Sequence, residues 1–155
     1  LTILCASVPF QVDITKLATQ SGLKRDTIIN YLSYLDKAKL IRLLYSDLKN
    51  IKRMQKPDKI YIDNTNLLNA WATAPIQIGT IRETFVANQL SVNHVIEFRK
   101  TNGDFLVDSK YTFEVGGDDK DFQQIANVAD SFILADDMET AIGKKLPIWV
   151  VGFDY

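Results

Sequence analysis

The sequence predicts a mixed α/β chain in two modules. The first, over residues 1–62, is a pair of helices closed by two strands. The second, over residues 63–155, is an α/β core built on a mixed sheet. Three observations predict this. The net charge of −1 hides a division: residues 1–62 hold eleven Lys and Arg against five acids, a net +6, while residues 63–155 hold seven against fourteen, a net −7. Apolar residues recur at helical spacing between Asp13 and Leu35, broken once at Ser21-Gly22. Short runs of strand formers with hairpin punctuation follow between Val95 and Val115. A charge asymmetry of this size assigns the two modules to different partners, although charges clustering on solvated faces would give the same count.

In the first module, Asp13 is placed to cap a helix carrying Ile14, Leu17 and Ala18 on one face. Gly22 supplies the positive φ of a tight turn. A second helix follows, with Ile28, Tyr31, Leu32 and Leu35 forming one buried stripe at i, i+3, i+4 and i+7. Asp26 near its start suits the helix dipole. Two helices joined by a short glycine-containing turn make a helix-turn-helix. "LIRLLYSDLKN" and "DKIYIDN" are strand candidates, and the basic segment between them has the composition of a wing.

Over residues 7–62 this pattern resembles winged-helix domains. A recognition helix would present Lys24, Arg25, Thr27, Asn30, Ser33 and Tyr34 off its apolar stripe, with Lys49, Lys52, Arg53 and Lys56 on the wing. Lys and Arg neutralise phosphates, and Asn pairs with adenine edges, so DNA is the expected partner. The same fold also serves as a protein-docking module with merely solvated bases. Tyr31 and Tyr34 both lying in the core would shorten the readout set.

Asn64 or Thr65 caps a short helix with Leu67, Leu68 and Trp71, Trp71 reading as core packing. A longer helix spans about Ile78 to Leu90 with Ile81, Phe85 and Val86 inward and Glu83 and Asn88 off that stripe. Strands are expected over Val95–Lys100, Asp104–Val107 and Tyr111–Val115, with Asn102-Gly103 a strong hairpin signal. A helix over "DKDFQQIANVADS" with Phe122, Ile125 and Val128 or Ala129 inward comes next. "FILADD" then forms a short strand, and "LPIWVVGF" a last strand, central or nearly so.

Composition excludes several classes. The hydrophobic content of 46% supports a packed core. No apolar run reaches the roughly 18 residues of a membrane span, and the start lacks a secretion signal, so a cytoplasmic location is expected. The first residue is Leu, so the chain is read as a piece of a longer protein. Cys5 and His94, the sole Cys and His, cannot supply a structural zinc site. His94 has no evident nucleophile partner and is taken as structural. No G-x-x-x-x-G-K-[ST] motif occurs in these 155 residues.

The order of helix, three-strand meander, helix and strand resembles the restriction-endonuclease-like fold. The stretches "KPDKIYIDNTNLL", "GTIRETFVANQL", "GDFLVD" and "YTFEVGG" extend the likeness over nearly the full chain. Together they resemble the C-terminal region of a bacterial and archaeal family of AAA-type ATPases, in which a P-loop module precedes a winged helix and a nuclease-like domain. The resemblance implies an upstream ATPase module of the same protein. It also implies a site in which Glu83 is the helical acid, Asp104 the first strand acid and Glu114 the acid of the next motif.

Such acids suit Mg²⁺, a hard cation that prefers oxygen ligands; Asp104 and Glu114 are the implied metal ligands, with the Val115 carbonyl. The chain departs from the pattern at Gly116, where Lys is expected. Lys120, or Gln123 or Gln124, is then the candidate substitute. A degenerate scaffold used for docking or regulation, a Mg²⁺-dependent nuclease and a pure protein-docking module all remain open. So does an ordinary hairpin with solvated acids. The −7 charge of this half also repels phosphates.

Overall fold

The structure is a computed structural model describing residues 4, 10–11, 13–46, 48 and 56–153. It is mixed α/β and divides into two compact units, Leu1–Ile76 and Gln77–Tyr155. The short helix after residue 62 therefore groups with the first unit.

In the first unit, β1 (Phe10–Gln11) precedes α1 (Ile14–Ser21), α2 (Arg25–Lys37), β2 (Ile41–Leu44), β3 (Lys59–Ile62) and α3 (Thr65–Trp71). The caps follow the sequence. Asp13 accepts from Lys16 N–H at the start of α1, and Gly22 ends it at φ 69°, its N–H donating to Ala18 O. Asn64 caps α3 through Leu67 N–H. The three strands form an antiparallel sheet in the order β1-β3-β2, with β3 central and buried along its length. β1 is two residues long, too short for alternation to reveal.

Ile14, Leu17, Ile28, Ile29, Leu32, Ile41, Leu44 and Ile60 fill this unit's interior. The expected stripe of α2 is corrected at Tyr31, which is 51% exposed, while Ile29 is buried in its place. The helix turns its aliphatic residues inward and leaves both tyrosines outside. Two of the bases are engaged within the fold. Arg42 pairs with buried Asp63 at 2.8 Å, and buried Lys59 lies over the Tyr61 ring at 5.2 Å.

In the second unit, α4 (Ile78–Leu90) packs against a five-stranded sheet of β4 (Ile96–Phe98), β5 (Phe105–Val107), β6 (Tyr111–Gly116), β7 (Ser131–Ala135) and β8 (Lys145–Pro147), in that order. β4, β5 and β6 are antiparallel neighbours; β6, β7 and β8 are parallel ones. β6 is therefore the central strand, and the sheet changes sense across it.

Three expectations are corrected here. The helix expected over residues 119–131 is replaced by turns around one 3-10 segment, Gln123–Ile125. Asp121 accepts from Gln123 N–H, a local bond that competes with helix formation. Ile125 is buried as expected, but Phe122 and Ala129 are exposed. The last strand is short and lies at the sheet edge, and most of its apolar run coils into a 3-10 segment, Ile148–Phe153. Finally, α4 buries Thr80, Thr84, Val86, Ala87 and Leu90. Its inward face is thus partly threonine, and Glu83, half-buried, stands within the 80-84-87 stripe instead of off it.

Candidate functional site

Two places hold the predicted residues. On the first unit, Lys24, Arg25 and Asn30 are exposed, Thr27 and Ser33 are half-buried, and Tyr34 is 62% exposed. The face of α2 expected to read a partner is therefore solvent-facing at its charged and amide positions. Arg25 lies 3.8 Å from Asp26, an exposed pair of little energetic weight. Lys56 is exposed; Lys49, Lys52 and Arg53 lie outside the described residues. Ser46 N–H and Oγ both donate to Asp58 Oδ2, at 2.8 and 2.9 Å, which ties together the two ends of the segment joining β2 and β3.

On the second unit, the acids gather where β5 leaves β6. Their ladder runs from Val107 opposite Tyr111 to Phe105 opposite Phe113. Asp104 continues it by one backbone bond, its N–H donating to Phe113 O at 2.8 Å. Its side chain then takes over: Oδ2 accepts from Val115 N–H at 2.8 Å. The carboxylate thus fills the place of the strand that has peeled away, and it satisfies a central-strand N–H that would otherwise lack a ladder partner.

Glu114 is 2% exposed. Lys120 Nζ donates to its Oε1 at 2.5 Å. Gln124, with its amide nitrogen turned to the carboxylate, donates to Oε1 at 2.5 Å and Oε2 at 3.0 Å. A buried carboxylate needs such donors, because desolvation disfavours its charge. Burial alone pulls the Lys120 pKa down; the hydrogen bond to Glu114 and the charges of Glu114, Asp104 and Asp121 outweigh it and hold the ammonium above the usual lysine value of 10.5.

Gly116 explains how Lys120 gets there. A Cβ built on Gly116 would stand 2.7 Å from Lys120 Cβ and Cγ and 2.9 Å from Cδ. The lysine stem occupies the space a side chain at 116 would take. Residues 114 and 116 share one face of the strand, so the stem delivers its ammonium to the acid two positions earlier. Lys120, one of the three candidates named for the position of Gly116, thus meets Glu114. Gln124 also reaches the acid, whereas Gln123 is held by Asp121 through its backbone N–H.

Asp104 and Glu114 supply two carboxylates, the oxygen donors that a hard divalent cation prefers. Among the described residues, no group of three or more His, Cys, Asp or Glu could hold a metal ion, so Glu83 does not complete a ligand set with them. The Lys120 ammonium also lies where a cation would meet Glu114.

Sequence reasoning missed the service Gly116 performs, whose signal is a glycine four positions before a lysine. It also missed the exposure of Tyr31 beside Tyr34, and Arg82, which bonds Asp136 at 3.0 Å and Asp137 at 3.4 Å. His94 pairs with Asp108 at 2.6 Å, in keeping with a structural role. Among the described residues no helix is long and apolar enough to cross a membrane. Comparison of the chain with family models, curated proteins and solved structures finds no match.

Proposed function

We propose that this chain is the nucleic-acid-binding and regulatory C-terminal region of a larger AAA-type ATPase, pairing a winged helix-turn-helix with a degenerate restriction-endonuclease-like unit. The observation that carries the reading is the outward face of α2. Lys24, Arg25, Asn30 and Tyr34 are exposed on the second of two helices joined at Gly22 and followed by an antiparallel strand pair. That arrangement suits a helix presented to a polyanion. For the second unit, support comes from a helix packed on an antiparallel meander whose central strand gains a parallel neighbour. The acids sit on and beside that strand. Closure of Glu114 by Lys120 and Gln124 favours a scaffold retained for docking.

The test is fluorescence anisotropy of a short labelled DNA duplex at about 50 mM and about 200 mM salt. Three phosphate contacts give a log–log slope of about −2.7. No binding at the lower salt, to this duplex or to its separated strand, overturns the reading and leaves α2 to a protein partner.

A second reading is a Mg²⁺-dependent nuclease. It is favoured by the meeting of Glu114, Lys120 and Gln124 beside Asp104, which restores the cation missing at Gly116. Plasmid and single-stranded DNA incubated with Mg²⁺ or Mn²⁺ test it. Asp104→Asn is the informative variant, since it removes the charge and keeps an acceptor for Val115 N–H. Cleavage lost in that variant establishes the nuclease; cleavage equal in both belongs to a contaminant.

A further inference from the structure

We propose that Tyr31 and Tyr34 form a stacking platform for unpaired bases, so that the polyanion preferred by the α2 face is a single strand and not a closed duplex. This rests on the nucleic-acid reading above and narrows it. The two side chains stand three positions apart on α2 and are 51% and 62% exposed. Their ring centroids lie 6.5 Å apart with the planes inclined at 38°. That separation is close to two steps of roughly 3.4 Å base stacking, which leaves room for one planar base once the exposed rings turn parallel. Tyr31 also borders a shallow, mainly apolar depression with Leu17, Ser21, Leu23, Ile28 and Leu32, beside the ring.

Two large rings on the reading face gain little from a closed duplex. There the base faces are already stacked, and the groove offers polar edges for side chains to pair with. An unpaired strand offers bare π-faces, and stacking on aromatic residues tolerates any sequence. The flanking groups complete the match: Lys24, Arg25 and Lys37 are exposed for phosphates and Asn30 for a base edge. This charge complementarity selects a nucleic acid strand over an apolar protein surface as the occupant.

The experiment compares the whole chain binding one labelled DNA sequence as a single strand and as a duplex, with the matching RNA strand as a third arm. A 2-aminopurine probe base reports stacking by quenching. Tyr31→Leu and Tyr34→Leu keep apolar volume and remove the π-face; the Phe variants keep both. We expect at least tenfold tighter binding to the single strand, with quenching. Each Leu variant should lose about tenfold on the single strand, in line with the stacking free energy per base, and nothing on the duplex; the Phe variants should retain it. The RNA arm shows whether the strand taken carries ribose or deoxyribose.

Equal affinity for strand and duplex, or Leu variants that bind and quench as the parent does, overturns the platform while nucleic-acid binding stands. Failure to bind any arm overturns both.

Discussion

The ammonium of Lys120 lies 2.5 Å from Oε1 of Glu114, its stem laid along the face of Gly116. The two positions work as one. The glycine has no side chain there, and a lysine four residues later fills that space from outside the strand. The result is a buried carboxylate neutralised from within the fold.

Removing the ammonium strands that charge. Lys120→Met leaves Glu114, 2% exposed, with Gln124 as its remaining described donor. Breaking a buried pair in this way costs about 3 kcal/mol, read as a lower denaturation midpoint. The pH dependence follows from the raised Lys120 pKa. The pair's contribution is fully present below the usual 10.5 and is lost as pH rises through the higher folded value. Parent stability should fall in that alkaline window, and the Lys120→Met profile should be flatter there.

Gly116→Ala puts a methyl 2.7 Å from the Lys120 Cβ, which is not a flexible tip that swings aside. The strain is about 1–3 kcal/mol. Because the methyl displaces the stem that carries the ammonium to Glu114, loss of that pair is counted in both single changes, and Gly116→Ala combined with Lys120→Met should cost less than their sum. A double-mutant cycle by urea denaturation reads this directly.

In the first unit, Arg42 and Asp63 form a largely buried pair at 2.8 Å. Arg42→Met should cost about 3–5 kcal/mol by leaving Asp63 unpaired. Adding Asp63→Leu should recover most of that loss, since replacing both charges by apolar groups removes the desolvation penalty. Thermal unfolding of the three variants checks it.

Asp108 ties the start of β4 to the β5–β6 turn. Its Oδ1 accepts from Val95 N–H at 3.0 Å, and its Oδ2 meets His94 Nδ1 at 2.6 Å. The Val95 bond first, and the His94 bond after it, hold its carboxyl below the usual 3.8. A depressed carboxyl contributes stability above its unfolded pKa and loses it as pH falls through the folded one. Stability should therefore drop further below pH 3.8 in the parent than in Asp108→Asn, which tolerates the local φ of 52°.

How much of this was legible depended on whether the signal was local. Asp13, Gly22 and Asn64 announced their helix ends because capping is decided within a few residues. Asn102-Gly103 announced the turn between β4 and β5, and both residues adopt positive φ, 59° and 117°. The run ending at Phe153 misled because a short apolar run suits a strand or a buried helical turn equally. Phe122 misled because helical spacing counts apolar residues and not the Asp121 side chain that diverts the backbone.

In the candidate site, Asp104 and Glu114 stood out as acids on adjacent strands, but their uses are tertiary. That Asp104 would cap the Val115 N–H, and that Lys120 would lie across Gly116, depends on where β5 ends. No spacing in the chain encodes that point.

The most direct test of the central claim removes Lys24 and Arg25 together, as Lys24→Ala with Arg25→Ala, and measures the salt dependence of DNA binding. If the α2 face meets a phosphate backbone, the log–log slope should shrink by about 2, with affinity falling alike across sequences. A slope and affinity equal to those of the parent would contradict the account.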